Sequence, residues 1–395
     1  MEVKATVVLA KGRDEAVRRF HPWVFSGAIH HINGKPEDGD IVEVTDINGR
    51  YLGTGHACHG SIAVKLFHFG PDKPGADFLA SKLRGCLLLR KDTGFHGNKK
   101  SNAYRLVFSE GDGLPGLVVD YYNGIAVIQA HSTGMYLMRN EIADALNQIY
   151  GNSLKAVYDK SSEALGKSGS HSAGDGFLTG QAENIEILEN GHRFLIDFVD
   201  GQKTGFFLDQ RDNRALLGRY SKGKNVLNTF CYTGGFSIYA LAAGARRVTS
   251  LDSSRKAMDA LQQNLVINGF SDQQHESIVD DAKSYLSNMP DDFEVVVLDP
   301  PAFAKRHADR HRAIQGYRFI NAAAMRKIKP GGLLFTFSCS QAVDRNMFTS
   351  MAMSAALEAR RNVQIVHQMG HSADHPVSVF HPEGEYLKGL VLRVE

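Results

Sequence analysis

The sequence predicts a multidomain α/β protein: a small β-barrel or sandwich, then a central α+β region, then a doubly wound α/β domain. Three observations carry this expectation. A chain of 395 residues exceeds what one hydrophobic core serves and divides into two or three units of roughly 100–200 residues. Residues 1–72 hold short β-type runs between turn-rich segments. After about Gly191, continuous apolar runs alternate with helical stretches, the texture of parallel strands covered on both faces.

Taken in order, the first region offers "TVVL" from Thr6, "IVEV" from Ile41, "YLG" from Tyr51 and "SIAVKLF" from Ser61, separated by "NGKPEDGD" and "DINGR". "FGPDKPGAD" (Phe69 to Asp77) combines prolines, glycines and aspartates and marks the first boundary. Leu79, Leu83, Leu87 and Leu88 then fall at helical spacing. "YRLVFSE", "GLVVDYY" and "IAVIQAH" read as strands joined by tight turns at Gly111, Gly113 and Asn123-Gly124, and a second helix follows from about Met135 to Tyr150. The stretch from Ser161 to Gly180 is rich in Ser and Gly and reads as an exposed, mobile loop. Strands and helices in blocks make this region α+β. The expected domains are therefore 1–72, 73–190 and 191–395.

Composition excludes several classes. With 43% hydrophobic and 22% charged residues the chain reads as an ordinary globular protein. Its apolar runs are too short to span a membrane and its N-terminus carries no signal-peptide pattern, so a cytoplasmic protein without membrane attachment is expected. Cys58, Cys86, Cys231 and Cys339 show no CxxC pairing or zinc spacing, and the histidines are scattered, so free thiols and no metal site are expected. A net charge of +2 names no partner, since nucleic-acid binding depends on a local basic face.

In a doubly wound sheet, ligands bind beyond the carboxyl ends of the strands. "NVLNTFCYTGGFS" puts Gly234-Gly235 at a strand-to-helix turn, where a missing Cβ admits a ligand to the backbone. Asp252 ends the next strand, eighteen positions after Gly234, close to the spacing at which an acid accepts ribose hydroxyls. Phe236 breaks the GxGxxG pattern, so a pyrophosphate is poorly served. A nucleoside-like cofactor without phosphate fits better, and S-adenosylmethionine is the common one. Asp280 and Asp281 follow another strand, as an adenine contact or as helix caps. In "VVVLDPPAF" two prolines rigidify the turn after Asp299, which is then placed to accept from a planar base, with Phe303 to stack on it.

"GGLLFTFSCS" ends a buried strand on Cys339. Beside Asp299 on a neighbouring strand, its thiolate is a candidate nucleophile for C6 of a pyrimidine; alone it reads as a buried strand residue. Lys305 and Arg306 are candidates for the positive charge that would help ionise it. Cys231 reads as structural. "DFVDGQKTGFFLDQRDNR", Asp197 to Arg214, reads as a binding loop next to the sheet or as a hairpin leading into a helix.

Together these residues resemble the ribosomal RNA large subunit methyltransferase I family, across nearly the whole chain. "HPWVFSGAI" (His21 to Ile29) resembles the opening of that family's N-terminal PUA domain. "GQKTGFFLDQR", "NTFCYTGGFS", "LDPPAFAK", "FSCS" and "GEYLKGL" match its methyltransferase motifs in order. The resemblance implies a PUA-like RNA-binding barrel, a small central domain and a Rossmann-like methyltransferase domain. It also implies S-adenosylmethionine as cofactor and transfer of its methyl to cytosine C5 of 23S ribosomal RNA through a Cys339 adduct. By the same resemblance Asp252 holds the ribose, Asp281 the adenine end, Gly234 the close approach, and Asp299 bridges cofactor and base. Gln210, Asn228, Phe230, Tyr232, Ser253, Asp280 and Pro300 complete the cofactor set, and ribosomal RNA and a homodimer are the partners it allows. The cysteine that many cytosine-C5 RNA enzymes carry beside the Asp-Pro motif is absent, since Pro301-Ala302 stands there.

Competing readings are methylation of guanine N7 or adenine N6, which needs no cysteine, and an inert RNA-binding assembly factor. A nicotinamide-dependent dehydrogenase lacks its glycine pattern.

Overall fold

The computed structural model describes residues 2–166, 174–183, 185–304 and 306–395. The chain forms two compact units. The first comprises Met1–Ile187, Ile196–Leu208 and Ala373–Gly384; the second comprises Leu188–Leu195, Asp209–Ser372 and Glu385–Glu395.

In the first unit, a six-stranded sheet runs in the order Trp23–Phe25, Ile62–Phe69, Tyr51–Ala57, Ile41–Thr45, Ala5–Leu9, Ile29–Asn33. Period-two alternation explains it: Val42 and Val44 point inward with Val7, Leu9, Val64 and Leu66, while Ile41 and Glu43 face outward. The strands Trp23–Phe25 and Ile29–Asn33 were not legible in the sequence, because "IHHIN" is exposed along most of its length and has no apolar face to read. A five-stranded sheet follows, ordered Gly176–Gly180, Ala156–Asp159, Ile125–Ala130, Leu117–Tyr122, Ala103–Phe108, packed by the helices Phe78–Asp92 and Arg139–Tyr150. The Ser/Gly-rich stretch is not one loop: it carries a short helix (Ser162–Leu165) and the edge strand Gly176–Gly180, while residues 167–173 lie outside the described residues. Fully buried Arg90 pairs with Asp112 through both its terminal nitrogens (2.6 and 2.7 Å) and also donates to the Asp374 carbonyl (2.8 Å). Thr204, expected in a binding loop, is buried and donates to Asp120 (2.6 Å). His21, His381 and Glu383 converge beside Trp23, whose indole lies 4.3 Å from the His381 ring and donates to Glu110 (3.0 Å). The sequence spacing of these histidines hides that cluster.

The second unit is the doubly wound sheet. Its strands are β1 (Asn225–Thr229), β2 (Arg247–Asp252), β3 (His275–Val279), β4 (Val295–Leu298), β5 (Gly332–Ser338), β6 (Val363–Met369) and β7 (Lys388–Val394), ordered β3-β2-β1-β4-β5-β7-β6. The first five are parallel; β7 inserts antiparallel between β5 and β6. Helices α1 (Arg211–Ser221), α2 (Gly235–Ala242), α3 (Arg255–Ile267), α4 (Ala282–Asn288), α5 (Arg310–Lys327) and α6 (Arg345–Ala359) connect them. All four residues of β4 are buried, as its unbroken Val-Val-Val-Leu run demands for a strand covered on both faces. Ser254, Asp281 and Asp344 cap α3, α4 and α6, each side chain accepting a backbone N–H of the first turn. Among the described residues, no helix is long and apolar enough to cross a membrane.

Beneath the sheet lies a charged cluster that the sequence did not announce. Glu189 is fully buried and receives both Arg214 Nε and Nη2 at 2.7 Å, Arg211 Nε at 3.2 Å and the Tyr239 hydroxyl at 3.1 Å. Burial alone would raise the Glu189 carboxyl; Arg214 and Arg211 outweigh it and hold the group below its ordinary value.

Candidate active site

The predicted residues of the second unit lie at or just after the carboxyl ends of β1 to β5 or, for Gln210, precede α1. After β1 the chain turns through Phe230 (φ +55°), Tyr232 (φ +48°) and Gly234 (φ +83°), all left-handed, and enters α2. At Gly234 the fold supplies a reason for glycine besides the expected close approach of a ligand. A Cβ there would fall 1.9 Å from Leu261 Cδ1, and the backbone is left-handed, so the fold itself requires glycine. The turn is tied to β2 by Asp252, which accepts the backbone N–H of Tyr232 (3.0 Å) and of Ser254 (2.9 Å), one on each oxygen. A carboxylate has about four acceptor positions, so these two bonds orient Asp252 and leave capacity for two hydroxyls.

Asn228 is buried on β1. Its amide donates to Ser237 (2.8 Å), which meets Ser250 (2.6 Å), which in turn meets His275 Nε2 (2.7 Å). Among the described residues its Oδ1 has no hydrogen-bond partner, an acceptor held in place at the turn. Asp280 accepts the Asp281 N–H, and Asp281 accepts the Ser284 N–H as cap of α4; both are exposed, as is Ser253. The cap reading of Asp281 is thus realised, and its carboxylate stands at the rim.

Asp299 follows β4 and is half-buried. Gln210 donates to its Oδ1 (2.9 Å), and Gln210 is itself fixed by Asn213 (2.6 Å), whose amide also reaches the Gly370 carbonyl (3.0 Å). Sequence reasoning found Gln210 and missed Asn213, one turn further along α1. Pro300 is buried and Pro301 exposed, and Phe303 packs on Tyr317 (ring centroids 4.6 Å) with Lys283 above it (5.6 Å).

β4 and β5 are neighbours in parallel register, Leu298 opposite Thr336, so Asp299 and Cys339 emerge from adjacent strands. Cys339 is a half-buried free thiol. Its flanks are anchored: Ser340 is buried and donates to the Ala304 carbonyl (2.7 Å), and Ser338 is buried and hydrogen-bonds to Tyr317. Burial, more than the nearby Cys339 and Asp299, pushes Tyr317 up to about 12. The other cysteines are different. Burial raises the thiols of Cys58 and Cys231, and Cys86 goes up to about 12. Of the two cations expected to serve Cys339, Arg306 is exposed and Lys305 lies outside the described residues. Lys388, within "GEYLKGL", is buried and its Nζ donates to the Ser340 carbonyl (2.6 Å), one residue past Cys339.

Replacing Asp252 with Ala should weaken S-adenosylmethionine binding at least tenfold by calorimetry, because the anchor that ties the Phe230–Gly234 turn to β2 is lost. Unchanged affinity would remove Asp252 from the site.

A family model for S-adenosylmethionine-dependent methyltransferases matches residues 120–377, and one for PUA-like domains matches residues 7–69. A protein named ribosomal RNA large subunit methyltransferase I from Shewanella denitrificans is 39% identical over 98% of this chain and 99% of its own length. Its namesake from Alteromonas mediterranea is 39% identical over 99% of each. A solved chain from Streptococcus mutans, assigned as a SAM-dependent methyltransferase, shares the fold with a TM-score of 0.83 at 21% identity, covering 98% of this chain and 100% of that one. A second solved methyltransferase-assigned chain, complexed with SAH, has a TM-score of 0.83 at 22% identity, with the same coverage.

Proposed function

We propose, from the premise that the chain belongs to the ribosomal RNA large subunit methyltransferase I family of S-adenosylmethionine-dependent enzymes, that it methylates C5 of a cytosine in 23S ribosomal RNA, in the cytoplasm. The observation that carries this reading is the emergence of Cys339 and Asp299 from adjacent parallel strands. In this reading residues 1–72 bind RNA as a PUA-like barrel, 73–190 form a central domain and 191–395 carry out the transfer.

S-adenosylmethionine supplies an electrophilic methyl group on a sulfonium. The residues that would hold it fit its polarity: Asp252 has acceptor capacity for two ribose hydroxyls, Asp281 stands at the adenine end, and Asn228 Oδ1 is an unused acceptor at the turn. Asp299, fixed by Gln210, accepts from the amino group or a protonated ring nitrogen of the cytosine. Cys339, as thiolate, would add its electron pair to C6; the C5=C6 pair would then make C5 nucleophilic, and C5 would take the methyl as the S–CH3 bond's pair returns to sulfur and S-adenosylhomocysteine leaves. Loss of the C5 proton to a base then returns a pair to C5=C6 and expels the Cys339 thiolate, so no net redox change occurs.

Ribosomal RNA carrying 5-fluorocytosine tests the sequence of steps, because fluorine at C5 does not leave as a proton does. A denaturation-resistant protein–RNA adduct at Cys339 is expected in the presence of S-adenosylmethionine. Methyl transfer to ordinary RNA with no adduct on the fluorinated RNA would point to another target atom.

A further inference from the structure

We propose that Lys388 is the positioning charge of the site: its ammonium keeps Cys339 ionised as the thiolate. The inference rests on the reading of Cys339 as nucleophile and supplies the cation that reading lacks. Lys388 begins β7, whose antiparallel pairing sets it opposite Ser338, one residue before the cysteine. Its side chain is buried, and its Nζ donates to the carbonyls of Ser340 (2.6 Å) and Tyr386 (2.6 Å). Two backbone acceptors therefore hold the amine against the Ser338-Cys339-Ser340 segment, and both favour its charged form.

A buried lysine without a charged purpose is costly. Burial pulls Lys388 down to about 8, and of the groups that oppose this fall Cys339 is the strongest. Coupling between two titrating groups is reciprocal. Whatever Cys339 does to favour the ammonium, the ammonium does to favour the thiolate. The other charged or titratable groups here are Glu385 and Tyr386 before β7, Asp344 and Arg345 at the start of α6, Asp299 after β4 and Tyr317 on α5. Arg345 lies bound to Glu385. Among these, Lys388 is the cation donating to the backbone beside Cys339. Ionisation here is proton loss to solvent, with the electron pair left on sulfur.

The test is the pH profile of Cys339 alkylation by iodoacetamide, read by peptide mass spectrometry on the full-length protein; the sulfur displaces iodide, so the rate follows the thiolate fraction. An unperturbed thiol gives a midpoint near about 8.5. In the wild type a midpoint at least about one pH unit lower is expected. Lys388→Met should raise it by about a unit or more and cut alkylation at pH 7 roughly tenfold, while Lys388→Arg retains the low midpoint. A wild-type midpoint at or above 8.5 overturns the proposal, and so does a low midpoint that Lys388→Met leaves in place. Should Lys388→Met fail to fold, the wild-type and Lys388→Arg profiles decide. A low, lysine-dependent midpoint with no fluorocytosine adduct would sink the C5 reading and leave the Lys388–Cys339 pair standing.

Discussion

Cys339→Ala should abolish methyl transfer to ribosomal RNA, by on the order of 10⁴-fold or more, while leaving S-adenosylmethionine affinity unchanged. In the proposed reaction, carbon 5 of cytosine is not nucleophilic until C6 carries an added electron-pair donor, and Cys339 is that donor. Cys231 is the nearest in the motif order, but it is buried against Met258 Sδ (3.5 Å), and burial raises its thiol. The proposed cofactor residues lie at or after the ends of β1 to β4 or precede α1, so removing one sulfur at the end of β5 leaves them in place. A single-turnover assay with labelled cofactor separates the two effects. Retention of activity within tenfold would exclude covalent attack through Cys339. It would favour instead an exocyclic amine as target, held by Asp299.

Removing Glu189 should have the largest effect on stability. Glu189→Ala leaves Arg211 and Arg214 buried with their shared carboxylate gone, and such a loss costs about 3–5 kcal/mol. At roughly 2–4 °C per kcal/mol for a unit of this size, Tm should fall by on the order of 10 °C in calorimetry. The pH dependence has a definite sign. The folded carboxyl titrates below its ordinary value of 4.5, so its stabilisation is complete above that pH and is lost as pH falls through the lower folded value. A loss under about 1 kcal/mol would mean that water reaches the arginines.

Much of the second unit could be read directly from the chain, because parallel strands buried on both faces are written as unbroken apolar runs. β4 and β5 are the clearest, and the acidic or nucleophilic residues follow them at once. What stayed hidden depends on pairings between distant residues. A side chain at Gly234 would meet Leu261, and Lys388 meets the cysteine segment only because β7 runs antiparallel to β5, fifty positions on from Ser338. Glu189 ends the strand Ile185–Glu189, paired with His192–Ile196, and its arginines lie on α1; no periodicity joins them. In the first unit, the exposed strand Ile29–Asn33 offers no alternation, and the edge strand Gly176–Gly180 hides among glycines and serines that read as linker.

The segment Ala373–Gly384 places a constraint on biosynthesis. It belongs to the first unit, where the Asp374 carbonyl receives buried Arg90 and the Asp374 side chain receives the Arg105 N–H (3.0 Å). At about 5–20 residues per second, a ribosome needs on the order of tens of seconds to pass from Asp112, the partner of Arg90, to Asp374. Throughout that interval the first unit waits, incomplete, with a guanidinium that has one of its acceptors still untranslated. The second unit waits too, since β7 is made later still and fills the gap between β5 and β6. The first unit is thus completed only after Asp374 is made, and nascent chains stalled before Asp374 should be the ones that chaperones and proteases find.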